Sequence, residues 1–447
     1  MNRNFISHQN TKLVRKMLLI ILFAIIFIAI RIPFFENNVR GEEGIFAEIF
    51  INHPKGPKYL QIARINGKEV FIYPNHASMI SETISFFGKT SQIFFDFSSH
   101  SEWAITIALR FFFSLFHLFS WVLVLMSFLK MDGKKGYLIL YIFILSITPI
   151  AIKGSVELNI DNSVGVLFTS LLCFSLLVYE YTNKKTFFNY LFVSLSCFLF
   201  GFGKTEWSIG FAISFIIAIF SSRIIRKNID VKLLLALIIG IVLGNFVNYM
   251  VSPYNYLDGL NLLTWYLKSQ IVVTNVSSNA NIVTTWLTLN LQRLPKTLPI
   301  IMLIFLNAFL LVSNLKITNF TTIFLFILSS LLFFAFSLNT FSTNSRLFLP
   351  SFFSCVFTSI TLVKSYLKEP QKPFFMVFIL VILVSNMILF PEIQRYKIID
   401  IKPRSDCVSF LGIGKGYIRE NVDYISRSLG LEGASKFAEE YGVTLCE

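Results

Sequence analysis

The run MLLIILFAIIFIAIRI, residues 17–32, decides what kind of chain this is. A helix rises 1.5 Å per residue, so this stretch is long enough to span a bilayer with a slight tilt. Arg3, Lys12, Arg15 and Lys16 precede it, an arrangement shared with signal peptides. No small-x-small cleavage site follows, so it reads as an uncleaved first membrane helix.

Working outward, the apolar runs continue along the chain. They predict about eleven spans, at 17–35, 104–129, 137–153, 163–182, 187–203, 208–222, 233–251, 298–315, 320–338, 347–366 and 374–391. Composition agrees: 55% of residues are hydrophobic, 14% are charged and 51 are Phe, whereas soluble chains carry roughly 25% charge. The mean hydropathy is +0.67. The net charge of +14 does not form the single basic patch that a nucleic acid needs. It is split into short clusters: Lys130, Lys134, Lys135; Lys184, Lys185; Arg223, Arg226, Lys227, Lys232; Lys316; and Lys364, Lys368, Lys372. These fall on alternate connections, on the side of the N-terminal cluster, which the positive-inside rule makes cytoplasmic. An odd number of spans then puts the C-terminus outside. The fold class expected is an all-α polytopic membrane protein. It comprises a transmembrane module over 1–391, with a first outer loop at 36–103, and a small extracytoplasmic tail at 392–447.

The inner connections are short basic stitches, so a site belongs on the outer side, in 36–103, 154–162, 204–207, 252–297, 339–346 or the tail. In the first outer loop Ile45, Phe46, Ile49 and Phe50 repeat at helical spacing, as an interfacial helix over 43–51 would. Ile80, Ile84, Phe87, Phe94 and Phe95 suggest a second. Pro54, Gly56, Pro57 and Asn66-Gly67 mark turns between them.

Four outer stretches carry candidate chemistry. In Arg40-Gly41-Glu42-Glu43-Gly44, the adjacent carboxylates cannot share a helix face, so their roles differ. One, poorly solvated near lipid, can take a proton from an acceptor. The other can orient the acceptor, hold a metal or pair with Arg40. The alternative is two solvated loop acids. Glu157 and Asp161 form a second acidic pair on the same side, with Asp161 also placed to cap the next helix. Lys204 and Glu206 sit in a turn so tight that it must lie near membrane depth, where ionisable groups usually line a cavity. Lys204 can meet a lipid phosphate as a point charge or simply contact Glu206. Arg346, at the mouth of the tenth span, can fork onto phosphate oxygens or snorkel to the interface. His53 and His76 lie in the first loop, and His76 is a candidate polar contact.

In this order these stretches resemble the C-type (GT-C) superfamily of integral-membrane glycosyltransferases, nearest the branch of protein O-mannosyltransferases and lipid A aminoarabinose transferases. That branch opens its first outer loop with an Arg, an Asp-Glu pair and Tyr-Ala, and Arg40-Gly41-Glu42-Glu43-Gly44-Ile45-Phe46-Ala47 is similar, with Glu42 in the Asp place. Asn66-Gly67-Lys68 and Tyr73-Pro74-Asn75-His76-Ala77 resemble its Asn-Gly turn and Pro-rich run. Gly203-Lys204 resembles its Lys-Gly turn in reversed order. Arg346-Leu347-Phe348-Leu349-Pro350 resembles its Arg-Tyr-x-x-Pro, without the Tyr. Leu294-Pro295 and Pro299 resemble its Leu-Pro-Trp.

The resemblance implies a polyprenyl-phosphate-linked sugar donor in membrane lipid and a lipid, glycan or protein acceptor. It implies transfer with inversion at the outer face of a bacterial inner membrane. Glu42 would be the base with Glu43 in support. Asp161 would position the acceptor, and Lys204 and Arg346 would stabilise the leaving phosphate. Arg40, Glu157, Glu206 and His76 would position the acceptor. The resemblance names no certain cofactor, and Glu42, Glu43 and Asp161 could hold a divalent metal. The rivals are an O-antigen polymerase or ligase, expected to carry Arg-rich outer loops, and a lipid-linked-glycan flippase, expected to show two-fold internal repeats. No such repeat is visible. Cys173, Cys197 and Cys355 fall in apolar spans as packing residues, while Cys407 and Cys446 could pair in an outer tail.

Overall fold

The computed structural model describes residues 3–35, 61–65, 68–71, 102–130, 136–156, 160–203, 205–251, 282–313, 318–337 and 348–366. Eleven helices and one strand pair occur among them. The helices are α1 (Arg3–Phe35), α2 (Glu102–Lys130), α3 (Gly136–Ser146), α4 (Pro149–Val156), α5 (Ile160–Tyr181) and α6 (Phe187–Gly203). They continue with α7 (Thr205–Ile224), α8 (Val231–Val251), α9 (Ile282–Ser313), α10 (Phe320–Ser337) and α11 (Leu349–Tyr366).

Five of these helices are long and apolar enough to cross a membrane: Val14–Phe35, Leu109–Leu129, Ser163–Tyr181, Trp207–Ile224 and Val231–Asn248. Shorter apolar helices, Phe187–Gly203, Thr297–Ser313, Phe320–Ala335 and Leu349–Leu362, pack with them. The bundle buries many hydroxyl side chains in an apolar core and still leaves large apolar side chains exposed on its outside. Ile25, Phe220, Phe246 and Phe305 are more than half exposed, reaching 70% at Phe305. Water would not tolerate so much apolar surface, and lipid does. The protein is therefore a helical, multi-pass membrane protein.

Helix α11 is the axis. Every side chain from Phe348 to Leu362 is buried, against α10, α5, α9 and α2. Two of its hydroxyls reach other helices. Ser351 Oγ donates to the Ser329 carbonyl of α10 at 2.7 Å, and Ser359 Oγ donates to Asn307 Oδ1 of α9 at 2.8 Å. Asn307 Nδ2 donates to the Cys355 carbonyl at 2.9 Å. Such bonds hold helices together where lipid supplies no hydrophobic drive. Cys173, Cys197 and Cys355 are buried free thiols, as their apolar settings predict.

The structure departs from the sequence reading in four places. The span expected at 137–153 is broken at Ile147 and Thr148, because Pro149 cannot extend α3. The connection expected at 252–297 is helical from Ile282, so α9 runs far ahead of Pro295 and Pro299. Helix α1 starts at Arg3, well before its apolar part. The helical expectation also lacked the antiparallel pair β1 (Gln61–Ile65) and β2 (Lys68–Phe71), in register Ile65↔Lys68 and Arg64↔Glu69 with an irregularity between Gln61 and Ala63. Asn66-Gly67 stands between these strands, the dipeptide that two-residue hairpins favour. The interfacial helices expected at 43–51 and 80–95, the span at 374–391, the tail 392–447, Cys407 and Cys446 lie outside the described residues.

Candidate functional site

The two ends of the bundle are built differently. At the end bearing the basic clusters, side chains tie helix termini together. Lys16 Nζ donates to the Leu129 carbonyl at 3.2 Å, joining the start of the first span to the end of α2. Glu180 accepts from Asn319 Nδ2 and, at 3.1 Å, from Thr321 Oγ1, joining α5 to α10. Asp230 accepts from Tyr179 Oη and, at 2.8 Å, from Tyr190 Oη, and it caps α8 through the Lys232 N–H at 2.9 Å. Burial alone would raise the Asp230 carboxyl. The phenol and backbone donors outweigh it and hold the group below the ordinary carboxylate range. Lys185, near the Tyr179 ring, is held below its ordinary value by burial, against the pull of Glu180 and Asp230. The groups named here are partnered to one another or to helix ends, so they act as a fastening.

The opposite end holds the helix termini that adjoin the candidate residues in sequence. Glu42, Glu43, Arg40, His76, Glu157, Lys204 and Arg346 lie outside the described residues. Asp161 stands in the first turn of α5 and Glu206 in the first turn of α7. Helix α5 begins at Ile160, so Asp161 stands at its N-terminal end, where an acid favours the dipole. Lys204 alone separates α6 from α7, as the tight turn predicts.

The residues flanking these positions converge. Phe34 and Phe35, which end α1 ahead of Arg40, pack with Ile152 and Val156, which end α4 ahead of Glu157. Gly154 lies so close to Leu349, three residues past Arg346, that a Cβ would come within 2.2 Å of Leu349 Cδ1. The Trp207 indole, beside Glu206, covers Gly165, one turn beyond Asp161, and Gly203, ahead of Lys204. A Cβ at either glycine would fall 2.1 or 2.6 Å from that ring.

Two arginines unremarked in the sequence reading fix this end. Arg110 Nη1 donates to the Phe35 carbonyl at 2.7 Å, closing α1. Arg31 is wholly buried. Its Nε donates to Ser155 Oγ at 2.6 Å, Nη1 to the Phe27 carbonyl at 3.1 Å and Nη2 to the Ser146 carbonyl at 2.7 Å. Its guanidinium lies 3.4 Å from the Phe27 ring centroid. It therefore binds α1 to both halves of the broken third span and sits at the negative dipole end of α3. The signal was legible: Arg31 is the one charge inside the apolar run 17–32.

Among the described residues no three His, Cys, Asp or Glu side chains group as metal ligands. Glu42 and Glu43, which would complete a set with Asp161, are outside them. No protein-family profile matches the chain, and no curated protein matches it.

Proposed function

We propose that the protein is a C-type membrane glycosyltransferase. It moves a sugar from a polyprenyl-phosphate-linked donor to a lipid, glycan or protein acceptor at the outer face of a bacterial inner membrane. One observation supports this reading above others. The helix ends flanking Arg40–Glu43, Glu157 and Arg346 pack around α4, and those flanking Asp161, Lys204 and Glu206 meet at Trp207.

In the proposed reaction Glu42 takes the acceptor proton, and the acceptor oxygen or nitrogen forms a bond to the anomeric carbon. The carbon–oxygen bond to phosphate breaks with inversion, and the electron pair leaves on the lipid phosphate. Lys204 and Arg346 stabilise that developing charge. Glu43 supports the base, Asp161 orients the acceptor or a divalent ion, and Arg40, Glu157, Glu206 and His76 shape the acceptor side. The N-terminus is cytoplasmic and the acid-bearing side extracytoplasmic.

The test is transfer from purified polyprenyl-phosphate sugars, with E42Q and E43Q made singly. Loss of a general base costs about 10²–10⁴-fold in rate, so E42Q should fall by that much and E43Q by less. Full activity in both removes the assignment. A lipid-linked-glycan flippase is the second reading, favoured by the interrupted α3–α4 span beside buried Arg31. Movement of the lipid-linked substrate in proteoliposomes without modification of any acceptor would establish it instead.

A further inference from the structure

We propose that the basic end of α5–α8 is a docking surface for an anionic phospholipid, its phosphate met by Lys184, Arg223, Arg226 and Lys232 and its hydrocarbon by Phe187, Phe188 and Ile224. This holds whether or not the protein transfers sugar. Two connections distant in sequence form the surface. Tyr179, near the end of α5, and Tyr190, in the first turn of α6, both donate to Asp230, which precedes α8. Helices α6 and α8 run parallel, with Gly240 against Ser194 and Gly244 against Phe198. The 182–186 connection and the 225–230 connection therefore lie side by side, fastened by one carboxylate.

Across residues 180–186 and 223–232, six cations stand against two carboxylates. Both carboxylates are engaged already. Asp230 also accepts from the Lys232 N–H at 2.9 Å, and Glu180 accepts from Asn319 and Thr321 of the α10 end. Lys184, Arg223, Arg226 and Lys232 are exposed.

Arg226 adds an independent observation. Its φ is 56°, and among the described residues it is the one non-glycine with a positive φ. The Lys227 N–H reaches the Ser222 carbonyl at 2.8 Å, which closes a Schellman cap on α7. Glycine ordinarily takes the left-handed position of that cap, because it has no Cβ to strain. An arginine there keeps a guanidinium at this surface against the backbone's preference, as strained residues at binding sites do.

The apolar neighbours select the ligand. Ile224 stands between Arg223 and Arg226, and Phe187 and Phe188 follow Lys184 and Lys185. Phe187, Phe188 and Ile224 are 72, 75 and 81% exposed. A nucleic acid or a soluble phosphate would meet the cations and leave these side chains in water. A lipid meets both, since phosphate and hydrocarbon adjoin at the interface where aromatic and basic residues collect.

The experiment takes the full-length protein, delipidated in detergent, and follows binding of phosphatidylglycerol and of phosphatidylcholine by native mass spectrometry as each is titrated. Phosphatidylglycerol should bind saturably, at least tenfold more tightly. R226G removes the guanidinium and relieves the cap. It should melt no earlier than the parent in lipid-free detergent, yet bind phosphatidylglycerol about fivefold more weakly, the share of one surface cation. R223Q/R226G/K232Q should abolish the preference, and K134Q/K135Q, at another basic connection, should leave it intact. Equal weakening by K134Q/K135Q overturns the proposal, because charge at any basic connection would then suffice. So does a parent that binds the two lipids alike, or R226G that binds as the parent does. Displacement of the lipid by millimolar inorganic phosphate would also overturn it, in favour of a soluble anion.

Discussion

Asp230 shows how a single residue in a lipid-solvated protein acquires a measurable role. Its carboxylate accepts from two phenols and from the backbone at the start of α8, so folding favours the charged form. The folded carboxyl titrates below its unfolded value, near 3.8. Stability from this group is thus present above that value and lost as the pH falls through the lower folded one. The group is partly solvated, which limits the effect to about 1 kcal/mol. We expect D230N to melt earlier than the parent at pH 7, with the gap closing below about pH 4. Thermal melts in detergent across pH check this, and a gap independent of pH would remove the charge from the account. Asp230 reads from sequence as a loop acid before an apolar run, and its cap was legible on that ground. Its phenol partners were not, because Tyr179 and Tyr190 come from two other helices and only packing brings them together. Arg31 differs: its isolation in an apolar run was visible, but its acceptors, Ser146 and Ser155, lie more than a hundred residues away.

At the scale of elements, α6 and α8 approach backbone to backbone. Gly240 and Gly244 are four residues apart on one face of α8, and α6 lies against them. A Cβ at Gly244 would come 2.2 Å from the Phe198 carbonyl oxygen, and one at Gly240 2.4 Å from that of Ser194. These neighbours are backbone, which cannot rotate away, so the helices must separate. Small-xxx-small spacing brings membrane helices this close. G244A should destabilise by about 1–3 kcal/mol, as overpacking does. G210A should be near neutral, since its Cβ would meet only Leu332 Cδ2 at 3.2 Å, the end of a flexible side chain. A thiol-reactive fluorophore reads both on heating, because Cys197 is buried against the Gly240 contact. Equal melting of the two variants would show that the interface yields. The spacing was present in the sequence, but several spans carry glycines, and only the structure says which face a helix. The Pro149 break and the Asn66-Gly67 strand pair were likewise written locally, as a helix breaker inside an apolar run and a hairpin dipeptide. Apolar residues on both sides of Pro149 conceal the first, and the two short strands around the second are too brief to assert themselves by periodicity.

For the whole molecule, the positive-inside pattern and the contacts between helix ends arrive at one arrangement by separate routes. Charge counting places the N-terminal cluster, Lys130, Lys184, Lys185, Arg223, Arg226 and Lys227 on one side. The contacts do the same without reference to charge. Lys16 reaches Leu129, Glu180 reaches Asn319, and Asp230 reaches Tyr179. At the other end Arg110 reaches Phe35, and Asn290 Nδ2 donates to the Ser337 carbonyl at 3.1 Å. The ends are thus locked in parity: if one basic connection is cytoplasmic, the others named here must be. Under the proposed orientation the connections that carry the acids expected to do chemistry fall outside as a set. Fusions of alkaline phosphatase, active only outside the cytoplasm, should be inactive after residues 184 and 228 and active after residues 55 and 265. Activity at 184 or 228 alone would break the parity and with it the common end on which the proposed site depends. Reversal of all four would preserve the bundle, turn it over, and place Glu42 on the cytoplasmic side, away from an extracytoplasmic acceptor.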